Sequence, residues 1–520
     1  MPRGEFADPP FREFANACRS VRAAIHGAMK IPYSLTTAVA LTACCVCTAR
    51  AQDFISYQSA DVVIGKPNFL TSGPTTASAT NTNTTADAVV DPATGELFVC
   101  DEANNRVLRF SSSAAAASGA AAEAVFGQPD LTTATANTGG LGASSLSDPV
   151  GIAVDATGAL WVADAGNNRV LRYDGATGAV SGATTTADQV IGQATFTTST
   201  SGLTLATLNN PRSVWVDGSG NLWVADAGNN RVLRYDAAAS LGDGPNASRV
   251  IGQPDGTTGA AATTQAGLSG PTSVCVDASG NLWVADTGNN RVLRYASAAS
   301  ISSDGANASS VLGQSDFTTA TLATTSSGLN SPRGVNATAS GRLWVSDFAN
   351  NRVLWFNNAA SKANGASADN VLGQPDFTGS VSGLTAQRLN GPLGVFQDVN
   401  GRLWVADSAN HRVLRFSAQQ PPVSQQPPVI KLFGKTRRVF PAASQHLRGA
   451  AFDTDGVVVA VKGSVNGRPF TLARGTSRWV YHAKKLRKGR NIVRIFAVDD
   501  DGLQSNMLVV RIIRRPHWRF

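Results

Sequence analysis

The stretch NLWVADAGNNRVLRY, residues 221–235, packs one Asp, three Asn and two Arg beside a Trp. Such a cluster suits a metal site, an anion grip or acid–base chemistry. Repetition decides between these readings. Near copies stand at 159–173 (ALWVADAGNNRVLRY), 281–295 (NLWVADTGNNRVLRY), 342–356 (RLWVSDFANNRVLWF) and 402–416 (RLWVADSANHRVLRF), with a more worn copy, ELFVCDEANNRVLRF, at 96–110. The aligned acids are Asp101, Asp164, Asp226, Asp286, Asp347 and Asp407, spaced 63, 62, 60, 61 and 60 apart. One substrate meets one set of catalytic groups, whereas a cluster present six times is a structural unit.

Each unit reads as four short strands. In the third, SVWVD (213–217) alternates and ends in the turn DGSGN. LWVAD (222–226), RVLRY (231–235) and RVIGQ (249–253) then follow as second, third and fourth strands, rich in β-branched and aromatic residues. The fourth-strand marker also occurs six times: VIGKPNF at 63, VFGQPDL at 125, VIGQATF at 190, VIGQPDG at 250, VLGQSDF at 311 and VLGQPDF at 371. The repeats therefore open on a fourth strand that lacks its first three, and close on a third strand, RVLRF (412–416), that lacks its fourth. Joining the two completes a sixth unit and ties the ends of a ring, so the pattern predicts an all-β, six-bladed β-propeller over 61–416. Trp161, Trp223, Trp283, Trp344 and Trp404, with Phe98 in the worn unit, are expected to fill the gaps between blades. Each repeat Asp is expected to accept backbone N–H groups in its turn and to pair with the Arg that opens the third strand.

The recurring G-N-L-W-V-A-D-x-G-N-N-R-V pattern resembles the NHL repeat family, over roughly 61–416. Departures are local. The first unit lacks the Trp and carries Glu102 and Ala103 in the turn. The fifth has Thr338 in place of the first-turn Asp and Trp355 in place of a strand Arg, and the sixth has His411 for the second Asn. The resemblance implies the propeller fold; members bind proteins or RNA or act as lyases, so the fold alone does not give the function.

Charge divides the chain. Residues 1–51 are net +3, residues 52–416 net −9 and residues 417–520 net +14. The segment MKIPYSLTTAVALTACCVCTARA, from Met29, ends in Ala49-Arg50-Ala51 and reads as an export signal cleaved before Gln52, with Met29 as the true start and 1–51 as leader. LTAC (41–44) offers a lipoprotein alternative at Cys44. Secretion or an envelope location follows, and an acidic exported body argues against a nucleic-acid partner. Four of the six cysteines precede Gln52; Cys100 and Cys275 fall three units apart in a ring of six, on opposite sides, which argues against a disulfide.

SAQQPPVSQQPP (417–428) is an extended linker. Residues 429–520 then show short strands, with Asn466-Gly467 as a hairpin turn and NIVRIFAV (491–498) and MLVVRII (507–513) as buried strands. This segment resembles bacterial immunoglobulin-like domains, which implies a small β-sandwich. Its acids Asp453, Asp455, Asp499 and Asp501 are weak Ca²⁺ candidates, otherwise solvated turn residues. The run KKLRKGR (484–490) is either a solvated hairpin or a contact for an anionic envelope surface.

The propeller has one histidine, His411, in place of a turn Asn, so a histidine-rich zinc site is excluded, a Ser–His–Asp set is available only by using His411, and His411 reads as a turn residue. Its only glutamates are Glu96, Glu102 and Glu123. Two positions vary while the repeat holds. After the Pro that opens each first strand come Val150, Arg212, Thr272, Arg333 and Leu393. After the repeat Asp come Glu102, Ala165, Ala227, Thr287, Phe348 and Ser408. Arg212, Thr272, Arg333, Leu393 and Phe348 are therefore the candidate ligand-binding residues, set against neutral variation on exposed loops. The expectation is a monomeric binding or scaffold protein for a protein or polysaccharide ligand, with no catalytic residues assigned and no cofactor beyond a Ca²⁺ option. The alternative is a metal-dependent hydrolase or lyase using channel carboxylates.

Overall fold

A computed structural model describes residues 53–113, 116–179, 185–418, 428–453, 458–499 and 504–515. The leader expected over 1–51 lies outside them, as does most of the linker. Among the described residues, short 3₁₀ turns are the only helical elements and all else is strand or loop.

Six four-stranded antiparallel sheets form the blades. The third shows the pattern: Pro211–Val216, Leu222–Asp226, Arg231–Tyr235 and Arg249–Ile251. The sixth is composite, as the sequence requires. Its fourth strand is Val62–Ile64, paired antiparallel with Arg412–Ser417 through Val62↔Arg415, Val63↔Leu414 and Ile64↔Val413. Residues ahead of this strand extend the closure: Phe54 packs edge-on against Trp344 with ring centroids 4.9 Å apart, and Gln58 Nε2 donates to the Ser417 carbonyl at 2.6 Å.

The repeat Asp anchors more than its own turn. In the third blade Asp226 Oδ2 accepts Arg231 Nε at 2.7 Å and Asn229 Nδ2 at 2.8 Å, while Oδ1 accepts the Asn209 N–H at 2.7 Å. The backbone donor thus comes from the loop before the first strand rather than from the Asp's own turn, which corrects the sequence expectation. Arg231 spends its remaining N–H groups on carbonyls of the two flanking interblade loops, Gly256 on one side and Thr204 and Thr207 on the other. All six pairs repeat this arrangement at 2.7 Å with both side chains fully buried. In the sixth, Arg412 reaches the Phe69 carbonyl and so crosses the ring closure.

The tryptophans are buried between blades, as expected: Trp161 lies in one core cluster with Val214 and Leu222 of the next blade, and Phe98 takes the corresponding place in the first. Their indole N–H groups explain the first-turn acids, because Trp161, Trp223, Trp283 and Trp404 donate to Asp155, Asp217, Asp277 and Asp398. Where Thr338 replaces that acid, Trp344 donates instead to Gln397 Oε1 of the next blade at 2.8 Å. Trp355 has a similar compensation. Arg172, Arg234 and Arg415 lie over their blade's Trp, whereas in the fifth blade Arg342 supplies the guanidinium, 5.5 Å from the Trp344 ring and 5.8 Å from Trp355.

The C-terminal segment forms two sheets. Val429–Leu432, Gln445–Phe452 and Arg478–Ala483 make a three-stranded antiparallel sheet. The other has the order Arg437–Phe440, Leu508–Arg514, Gly489–Asp499, Val458–Val465 and Thr471–Leu472, and its first pair is parallel. Leu447, Trp479, Val461, Val493, Ile495 and Val510 share its core. The hairpin falls at Asn466-Gly467, both with positive φ, closed by Arg468 N–H on the Val465 carbonyl. Residues 508–514 bury only one face, since Val509 is exposed beside buried Val510, so this strand is half-buried rather than buried. Lys484, Lys485, Arg487 and Lys488 are exposed around a buried Leu486, in a turn between two strands.

Removing one charge of a fully buried pair strands the other. Asp226→Asn is expected to destabilise the propeller by about 3–5 kcal/mol, read as a lower urea midpoint. Asp226→Asn combined with Arg231→Met is expected to recover part of that loss.

Candidate functional site

The first strands of all six blades surround a central cavity of about 710 Å³. Arg212, Thr272, Arg333, Leu393 and Phe348, the positions chosen for their variability, all line it. A register shift explains how. Between Pro211 and Ser213, Pro271 and Ser273, and Pro332 and Gly334 the first strand slips against the second, leaving Arg212, Thr272 and Arg333 as unpaired bulge residues. A bulge frees a side chain from the ladder and re-aims it. The Pro at the strand start needs no N–H there, which suits this corner. The position after the repeat Asp sits at the same end of the blade, because the opening Pro pairs with that Asp. The two variable positions therefore converge on one mouth of the channel.

Close approach of neighbouring first strands is met by small residues. A Cβ at Gly394 would stand 2.2 Å from Asp87 Oδ1, and one at Gly334 2.2 Å from the Leu393 carbonyl. Where the residue is larger it bonds across: Ser213 Oγ accepts Val274 N–H, Ser273 Oγ accepts Val335 N–H, and Asp87 Oδ2 accepts Ile152 N–H at 3.2 Å. Asp87 is thus the acidic member of a ring of Gly and Ser, a signal legible in the sequence but missed. Burial pushes its carboxyl up to about 7, against the pull of the Ile152 and Ala88 N–H groups.

Glu102 is the second displaced acid. Burial raises it to about 7, neighbouring Asp148 adds to the rise, and Arg212 and Arg333 oppose it. Its Oε1 lies 3.9 Å from Arg212 Nη1. Arg333 stacks its guanidinium carbon 4.1 Å from the Phe348 ring centre. Thr272 Oγ1 shares a 2.6 Å hydrogen bond with Thr287 Oγ1 and reaches the Arg333 carbonyl, which fixes the fourth blade's hydroxyls to the fifth blade's backbone. The half-buried Trp215 and Phe396, neither singled out from the sequence, also line the cavity. Among the described residues, no three His, Cys, Asp or Glu side chains gather as metal ligands. Asp453 is described, of Asp499 only the backbone is, and Asp455 and Asp501 lie outside the described residues. Cys100 and Cys275 are free and buried, their thiols held up by burial.

Residues 77–356 match the family model described as Teneurin NHL domain, and residues 389–416 match the NHL repeat. The chain belongs to the Teneurin NHL domain family. No curated protein matches it. Among solved structures it is similar to a streptogramin B lyase, at 13% identity and TM-score 0.35 over 63% of this chain and 77% of the other. It is also similar to regucalcin, a calcium-binding protein of Agrobacterium tumefaciens str. C58, at 13% identity and TM-score 0.35 over 71% and 94%. A third likeness is to an auxiliary nutrient binding protein of Bacteroides ovatus ATCC 8483, at 12% identity and TM-score 0.40 over 70% and 75%. Likenesses this distant bear on none of the chemistry at the channel.

Within this NHL propeller His411 is a joint between the last blade and the first. It adopts the left-handed conformation of the aligned asparagines, φ 55° against 52° at Asn230. Its Nδ1 accepts the Thr84 N–H at 2.9 Å, as Asn230 Oδ1 accepts that of Gly270 at 2.7 Å. Burial, aided by the Lys66 charge, holds its pKa below the ordinary 6.5, so the folded ring binds protons less readily than the unfolded one. That increment of stability is complete above the unfolded pKa and is lost as pH falls below it. Urea midpoints between about pH 5 and 8 are expected to show this acid sensitivity, and His411→Asn is expected to reduce it.

Proposed function

We propose that this chain is an exported NHL propeller that binds a protein or glycan ligand at one mouth of its central channel, at the cell envelope or outside the cell. One observation supports this above others: side chains that break the repeat, Glu102, Arg212, Thr272, Arg333, Phe348 and Leu393, converge on a single cavity. The sixfold motif residues are consumed by hydrogen bonds to the scaffold, so they leave chemistry to these. A cavity of about 710 Å³ is of the size that holds a small ligand or the end of a larger one. The C-terminal segment, read as an immunoglobulin-like module with an exposed basic turn, would then hold the propeller against an anionic envelope surface.

A second reading has its own support. Asp87 and Glu102, both held near 7 by burial, are suited to general acid–base work at neutral pH, as a hydrolase or lyase would need. The two readings separate in one set of measurements on the purified chain. Calorimetric titration with a panel of envelope polysaccharides and peptides is expected to find a stoichiometric ligand. Its binding should weaken on Leu393→Asp and survive Asp87→Asn. Turnover of a bound ligand that Asp87→Asn abolishes would establish the enzyme reading instead, and one tightly held divalent cation per chain would point to a channel metal site and favour it.

A further inference from the structure

We infer that the channel mouth recognises a carboxylate, gripped between Arg212 and Arg333 and presented by the uronate unit of an acidic saccharide. This inference rests on the ligand-binding reading above and names its ligand class.

The arginines of this propeller fall into two groups. Arg106, Arg169, Arg231, Arg291, Arg352 and Arg412 are buried with a carboxylate on Nε and carbonyls on the remaining nitrogens. Arg212 and Arg333 are not so employed. They stand on the bulges of the third and fifth blades and face one cavity. Arg333 Nε is buried with no hydrogen-bond partner, a state that costs free energy until an acceptor arrives. The Phe348 ring covers one face of that guanidinium at 4.1 Å, so an acceptor must approach through its N–H edge. Phe348 is itself backed by Gly391, where a Cβ would come within 2.9 Å of the ring. The fork is therefore held in place before a ligand binds, which is the arrangement that favours planar, two-oxygen anions.

The charge balance points the same way. Burial and the nearby Arg212 both press on the Arg333 cation, so the two guanidiniums feel each other. The acid facing them is Glu102, 3.9 Å from Arg212 and only 14% exposed. Glu102 faces Asp148 before the second blade, the buried Cys100 thiol on its own blade, and the two arginines across the channel. Near neutral pH it is only partly ionised, so two guanidiniums share a fraction of one charge. Because the group already beside Arg212 is a carboxylate, a ligand carboxylate is the natural replacement in size and charge. Trp215 and Phe396, both half-buried and lining the same cavity, offer apolar aromatic surface against which a sugar ring can lie.

The test is calorimetric titration of the purified full chain with digalacturonate, with galactobiose as the neutral counterpart, and with succinate and inorganic phosphate. Digalacturonate is expected to bind, and galactobiose to bind at least about tenfold more weakly, as loss of a charge-assisted contact implies. Arg212→Gln and Arg333→Gln should each weaken digalacturonate by a similar factor. Glu102→Gln should tighten it, a gain that a misfolded variant cannot give. It should also flatten the decline in affinity expected as pH rises through about 7, where Glu102 ionises. Equal binding of both disaccharides, unmoved by the arginine variants, would overturn the carboxylate inference and leave the ligand-binding reading standing. Binding of succinate or phosphate without digalacturonate would overturn the saccharide assignment. If neither these probes nor the wider polysaccharide and peptide panel bound, the inference would fall together with the reading beneath it.

Discussion

The ring rests on a buried ion pair used six times. An isolated buried charge is costly, and a pair is tolerable only when geometry and further hydrogen bonds occupy what remains. Asp226 and Arg231 meet that condition by reaching outward: the Asp takes an N–H from the loop before its blade, and the Arg fills carbonyls of the loops on both sides. Each pair is therefore less a stabiliser of one turn than a rivet through three segments of chain. This accounts for the regular spacing of the motif, because the loops must arrive at fixed distances from the pair for every N–H to find its carbonyl. It also accounts for the Asn pair. Asn229 completes the Asp, while Asn230 takes the left-handed turn and hands its own oxygen to the next blade's entry.

The sequence was legible where a side chain performs one role repeatedly. Strand boundaries such as Leu222–Asp226 and Arg231–Tyr235 coincide with the quoted motifs, and the missing fourth strand alone locates the closure. Legibility failed where partners come from elsewhere in the ring. Nothing local in Trp344 shows that its N–H would pass to Gln397, fifty-three residues on. Nor does the stretch before Val62 announce that Phe54 would lodge against two tryptophans. At the site, variability picked out positions that line one cavity, but the reason was hidden: a bulge is a register event between two strands, and a single strand's pattern does not record it. Glu102 stood out in the sequence as an odd acid and Asp87 did not, and the lifted pKa of each depends on burial that only the assembled ring supplies.

A propeller built from near-identical units faces a symmetry problem at its axis. Six equal bulges would present six equal side chains, and six like charges at one mouth would repel one another. The positions that break the repeat solve this without disturbing the frame, because the bulge residue owes nothing to the ladder and the residue after the repeat Asp is not among its partners. The two acids both belong to the worn first blade, and Arg333 and Phe348 to the fifth, whose Trp and Arg contacts were rebuilt through Gln397 and Arg342. In the first and fifth blades departure from the repeat in the frame and at the axis coincide, whereas Arg212 and Thr272 stand on blades whose frame keeps the repeat. Compensated changes in the frame keep a blade in the ring while its axial face diverges. An uncompensated change would leave a buried indole N–H or guanidinium without a partner at a cost of about 1–3 kcal/mol, a sizeable share of the stability of a marginal domain.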